Sequence, residues 1–327
     1  MSAEIARATA QQVCQIGVEA APGTPVAATT RLVSTAIRLS PKPAIAMPAP
    51  VGIEVPAVAT RGKEYSEGTI EGALSYTEVP YLLGSLLTNA GGTTYKPGLG
   101  VPTINTLTVE NGDAGRAERF DYVVVSGLRF RFTREEAAIS GACFGREAAE
   151  GAVLTAAATP AAVAPVNPDK VQVLIGDSVA GLTAIDQIDE AEVTIDGRWA
   201  PRMTLDPAEA SYSDIVLKQH NPTAQLVLPH GADAAGWIDD LRAAATRFCQ
   251  IWASEAIGGV TYTFQVTFPF VFTGDSRGDS DGVWASTFDL ALVYDATFGS
   301  WIEVVVTADG GSYAAGGHCE RAADDQD

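Results

Sequence analysis

The sequence predicts a mainly β protein, a sandwich or barrel with one or two flanking α-helices and extended arms or loops. Three observations support that class. Apolar and polar residues alternate over short runs, most clearly where Tyr262, Phe264, Val266 and Phe268 are interleaved with Thr and Gln. Gly (32) and Pro (18) are abundant and separate those runs as turn residues. Helical periodicity is confined to residues 80–87 and 234–246, the latter with Trp237, Leu241 and Ala244 on one face.

Taken in order, residues 1–60 read as an N-terminal strand and a Pro-rich arm. Pro41, Pro43, Pro48, Pro50 and Pro56 each remove a backbone donor, which rules out a central strand or a helix and leaves an extended arm or loop. Residues 61–147 form a first β half. It has a strand at 68–76, the short helix, a strand at 107–110 before an Asn111-Gly112 turn, and strands at 120–125 and 128–132, with 137–145 as antiparallel partner. An Ala/Pro-rich linker or long loop occupies 148–170. A second β half, 171–307, holds strands at 171–175, 191–195, 224–228, 248–252, 260–268, 288–294 and 301–306. The Gly-, Ala- and Asp-rich tail, 308–327, is expected to be disordered. No repeat is visible that would suggest a solenoid or propeller.

Composition narrows the function. With 46% hydrophobic and 19% charged residues, the 327-residue chain is a folded protein. Its 21 basic and 40 acidic side chains give a net charge of −19, and the basic ones are scattered singly, unlike those of a phosphate-backbone binder. Cys14, Cys143, Cys249 and Cys319 form no C-x-x-C pair, which argues for a reducing compartment over a zinc site or disulfide framework. Neither a signal-peptide core nor an apolar run of membrane-spanning length is present, so a cytoplasmically folded protein is expected.

Two stretches invite a chemical reading. The run VQVLIGDS, ending in Ser178, resembles the nucleophile block of SGNH-type esterases. That chemistry needs a histidine base oriented by an acid, and in the family the acid lies three residues before it. Here Leu217, Val227 and Ala315 precede His220, His230 and His318 at that distance. A β-turn after a strand is the better reading, and a serine esterase using Ser178 is the alternative function. In the stretch 274–282, Asp275, Asp279 and Asp281 offer oxygens to Ca²⁺, but the closing glutamate and spacing of an EF-hand are missing. The stretch, with its Arg277-Gly278-Asp279 tripeptide, is expected to be an exposed polar loop. The adjacent pairs Glu135-Glu136 and Asp239-Asp240 read as solvated. Trp199, Trp237, Trp252, Trp284 and Trp301 read as core or subunit contacts. No catalytic, cofactor-binding or metal site is expected, and the protein is read as a non-enzyme.

Several segments, in order, resemble the tail tube proteins of long-tailed bacteriophages. They are 16–26 (IGVEAAPGTPV), 63–72 (KEYSEGTIEG), 80–87 (PYLLGSLL), 102–110, 122–134, 193–199 (VTIDGRW) and 291–306. The resemblance implies a tail-tube-like β-sandwich or barrel whose subunits close into rings, commonly of six, that stack into a hollow tube. The genome would pass through the lumen without specific binding. An N-terminal arm and a long hairpin or loop would bridge neighbours. Implied partners are further copies of the chain, the tape measure protein, the tail terminator and tail-tip proteins, with no cofactor and no membrane. The implied location is the virion, with assembly in the host cytoplasm. A cell-surface adhesion protein is disfavoured by the missing signal peptide.

Overall fold

The computed structural model describes residues 12–308 except 50, 53, 57, 98–101 and 114. The expected disordered tail therefore lies, beyond Ala308, outside the described residues, as do His318 and Cys319. The chain opens with β1 (Val13–Val18), β2 (Thr30–Leu32), β3 (Thr35–Ala46) and β4 (Thr60–Ala73), followed by α1 (Val79–Leu86). Next come β5 (Asn89–Gly91), β6 (Thr94–Tyr95), β7 (Leu107–Asp113), β8 (Arg116–Thr133) and β9 (Ala137–Gly145). The connection at 148–170 carries β10 (Ala149–Ala152) and β11 (Thr159–Pro160). Then β12 (Val171–Gly176), β13 (Thr183–Ala184), β14 (Glu190–Ile195), β15 (Trp199–Arg202), β16 (Asp214–Leu217) and β17 (Thr223–Pro229) lead to α2 (Ala232–Ala243). Last are β18 (Thr246–Ile257), β19 (Val260–Ser280), β20 (Val283–Leu292) and β21 (Glu303–Ala308).

The fold is mainly β, as expected; two of its layers share β19, and a further run of strands, β11-β2-β1-β7-β8-β10, joins them through the first part of β8. One layer runs β3-β4-β9-β8-β14-β17-β20-β19. The first half of β19 leaves it to pair with β18 and β21, giving a second layer, β12-β18-β19-β21-β6. Phe130 and Phe132 of β8 meet Phe264 of β19 with ring centroids 5.6 and 6.1 Å apart, so the layers face one another across an aromatic core. The alternation that marks β19 in the sequence is this core face. Trp237 of α2 packs on Phe272 and Phe288, 5.6 and 5.2 Å away, and covers the point where β19 bends between layers. The two sequence halves share these sheets through β8–β14 and β6–β21.

Four local expectations are corrected. Asn111 and Gly112 lie inside β7, and the turn comes later, where Asp113 Oδ1 accepts the N–H groups of Gly115 and Arg116. Residues 120–125 and 128–132 belong to one strand, β8, interrupted by a bulge at 125–127. Ala244 is not on the helix face but caps α2 in a left-handed conformation at φ 49°. Pro41 and Pro43 sit within β3; an edge strand pairs along one side only, so it tolerates missing donors.

Buried carboxylates tie the loops to these sheets. Glu78 Oε1 accepts the N–H groups of Val33 and Ser34 at 2.8 and 2.9 Å. Glu110 accepts Thr155 N and Oγ1, both at 2.8 Å, and thereby holds the 148–170 connection. That connection also bonds back through Val166 N to Leu74 O and through Ala164 O to Tyr76 N, at 2.7 and 2.9 Å.

Candidate functional site

The esterase-like block forms strand β12 and delivers Ser178 to an exposed position at the start of a single 3-10 turn. The neighbouring Asp177 pairs with Arg247, which also holds Asp240 at 2.9 Å. The described histidines are engaged elsewhere. His220 Nδ1 lies 3.3 Å from Lys218 O, and His230 Nδ1 lies 2.8 Å from Ser286 Oγ. The latter is a serine–histidine pair that sequence reading missed, yet Ser286 is 0% exposed, out of reach of a substrate in solution. Ser178→Ala is expected to shift the melting temperature by about 1 °C or less, as an exposed substitution. Ester hydrolysis by the wild type that disappears in this variant would overturn the reading of Ser178 as a turn residue.

The Asp-rich stretch is a hairpin arm, not a loop. Gly274 to Ser280 continue β19 and pair with β20, closing at Asp281-Gly282 with φ 53° and 81°, as a two-residue hairpin turn requires. Its carboxylates are dispersed. Asp275 faces Arg277 Nε at 3.4 Å, Asp281 faces Arg134 at 2.8 Å, and Asp279 accepts the Gly282 N–H at 3.0 Å. Among the described residues no group of three or more potential ligands could hold a metal. Cys14, Cys143 and Cys249 are free, buried thiols; burial pushes Cys14 and Cys143 up to about 12 and Cys249 higher still, against thiolate chemistry.

The most prominent surface feature is the β3–β4 hairpin. Every described residue from 40 to 62 is exposed, including Ile45 at 56%, Met47 at 60% and Val58 at 58%. Its base is braced by the 203–213 excursion, where Lys63 Nζ donates to Asp206 O at 2.8 Å and Glu64 N to Ala210 O at 3.2 Å. Among the described residues β3 pairs as a strand with β4 alone, and on its other edge Ile37 O accepts the Cys14 Sγ–H at 3.8 Å. Beside that edge runs a groove of about 580 Å³, whose lining includes Val13, Leu32, Ile37, Arg116 and Glu118.

No family model matches the chain, and no curated protein matches it. Among the described residues, no helix is long and apolar enough to cross a membrane.

The tryptophans divide. Trp199 and Trp237 are buried, Trp252 and Trp301 are partly covered, and Trp284 is 62% exposed beside His230. Trp199 Nε1 donates to Leu86 O at 3.0 Å, which fixes its ring beneath Arg198. Arg198 is the only buried lysine or arginine among the described residues, and sequence reading did not single it out. A desolvated cation–π contact contributes roughly 2 kcal/mol, less than the several kcal/mol lost when a charge leaves water.

Proposed function

We propose that this chain is a structural subunit that assembles with copies of itself into stacked rings, and that it forms the tail tube of a long-tailed bacteriophage. The observation that carries this reading is the β3–β4 hairpin, which holds Ile45, Met47 and Val58 clear of their own subunit. Exposed aliphatics on a projecting arm favour burial against a neighbour. Next to the arm, the edge of β3 that no described strand pairs with offers backbone donors and acceptors to another chain. A heterologous contact that closes on itself gives a ring, for which six subunits is the expected number, and stacked rings give a tube. A net charge of −19 suits a lumen that lets DNA slide, because fixed negative charge repels phosphate. Partners in that setting are the tape measure, terminator and tip proteins, and the location is the virion.

Negative-stain microscopy and sedimentation of the purified chain test the assembly. Rings or tubes are expected without added cofactor. Monomer alone at high protein concentration, with no filaments, would count against the proposal.

A further inference from the structure

The hairpins at the two ends of one layer carry opposite charge. In the order β3-β4-β9-β8-β14-β17-β20-β19, a hairpin stands at each end with four strands between them. Residues 40–63 hold three basic side chains, Lys42, Arg61 and Lys63, and one acidic one, Glu54, a local +2 in a chain of −19. Lys63 donates to the carbonyls of Asp206 and Glu209. Lys42 and Arg61 are exposed and form surface pairs with Glu67, at 3.7 Å, and with Glu64, which hold them weakly. At the other end, residues 274–284 hold Asp275, Asp279 and Asp281 against Arg277, a local −2.

This acidic hairpin also exposes apolar surface. Val283 and Trp284 are 48% and 62% exposed where β20 leaves the turn. The indole is nevertheless fixed in place. His230 stacks on it with ring centroids 5.2 Å and planes 24° apart. That imidazole is itself held, by Nδ1 at 2.8 Å from Ser286 Oγ and by the His230 backbone N–H, which donates to Trp284 O at 2.8 Å. With one face stacked and more than half its area exposed, the indole presents its other face to solvent. Asp279 is registered opposite Trp284, and Asp281 stands at the turn. A rigid aromatic face rimmed by carboxylates loses little entropy on contact and favours a cation set in apolar surface. The β3–β4 arm has that composition, with Arg61 registered opposite Ile45 and with Lys42, Met47 and Val58 nearby on the same two strands and their turn.

We propose that Trp284, with Val283, Asp279 and Asp281, is the surface on which the β3–β4 arm of a second copy docks. The inference rests on the self-association proposed above and supplies its site. Arm and patch sit at opposite ends of one layer, so the contact is heterologous, the kind that closes into a ring. Trp284→Ala is expected to weaken self-association by about tenfold or more and to leave the monomer's melting temperature nearly unchanged. Mixing gives a sharper readout. The Trp284→Ala chain keeps an intact arm, and a chain with Ile45, Met47 and Val58 replaced by Glu keeps an intact patch. Neither is expected to associate alone, and together they are expected to form a one-to-one dimer that grows no further in sedimentation. Lys42→Glu decides the matter if the Ala variant misfolds: it is expected to weaken association about threefold, and Asp279→Lys in the same chain to restore it. A mixture that stays monomeric, or charge reversal without restoration, overturns the proposal. Wild-type association by Trp284→Ala, beside an inactive arm variant, overturns it too but leaves self-assembly standing, whereas a wild type that stays monomeric sinks both.

Discussion

Replacing Ile45, Met47 and Val58 together by Glu is expected to abolish assembly while leaving the monomer folded. All three are more than half exposed in the single chain, so the monomer loses little packing. Exposed substitutions usually change stability by about 0.5 kcal/mol or less each. A neighbour that covers these side chains removes their remaining apolar surface from water, contributing about 1 kcal/mol or more apiece. Losing three such contributions weakens each contact by roughly two orders of magnitude, before the penalty of burying new charges. Every subunit of a ring repeats the defect, so the loss compounds around it. The check is paired: melting temperature for the monomer, sedimentation and microscopy for the assembly. Limited proteolysis adds a second readout, with cleavage between residues 40 and 62 fast in dilute wild-type monomer and slow in assembled material. Equal cleavage in both states, or assembly by the triple variant, would show that the hairpin does not dock on a neighbour.

The same hairpin shows why parts of the fold were readable and others were not. Alternation reports burial of one face, so β19 was legible as far as Phe268, where its side chains enter the core. Beyond Gly274 the strand pairs with β20 alone, at the edge of its layer, and its residues are mostly polar and carry no periodic signal. The end of β3 was hidden for the same reason, and Pro41 and Pro43 further disguised an edge strand as a loop. Asn111-Gly112 carries a strong turn signal, but six registered pairs between β1 and β7 hold that segment extended. The residues before each histidine carry no acid in the sequence, and among the described residues His220 and His230 bond to Lys218 O and Ser286 Oγ instead of Ser178. Arg198 was not legible, because its isolation depends on Trp301, which reaches it only through tertiary packing.

Glu19, within residues 16–26, is the position where substitution is expected to destabilise the fold most. Gly17 has no room for a side chain, since a Cβ would lie 2.8 Å from Ala27 O, and Gly23 takes φ 75°. Between them the Glu19 carboxylate is 6% exposed and fully engaged. Oε2 accepts Gly23 N at 2.8 Å and Thr106 Oγ1 at 2.7 Å; Oε1 accepts Tyr122 N at 2.8 Å and Thr108 Oγ1 at 3.0 Å. Tyr122 is itself held left-handed at φ 54°, costing about 1–2 kcal/mol for a residue with a side chain. The network extends from Thr108 Oγ1 to Val26 N at 3.0 Å, so one carboxylate organises the N-terminal loop and the distortion in β8. Glu19→Leu leaves the buried Tyr122 N–H and the partly buried Gly23 N–H without acceptors and is expected to cost about 3 kcal/mol, or roughly 5–10 °C in melting temperature. Glu19→Gln separates charge from geometry. Each carboxylate oxygen serves one backbone N–H and one hydroxyl, so either amide orientation sets an NH₂ against an N–H donor. A hydroxyl can turn to accept, but a backbone N–H cannot. An intermediate loss of about 2 kcal/mol is therefore expected for Gln. Wild-type melting by both variants would refute the role assigned to Glu19, and a Gln variant as damaged as Leu would make the charge, not the acceptor geometry, the deciding factor.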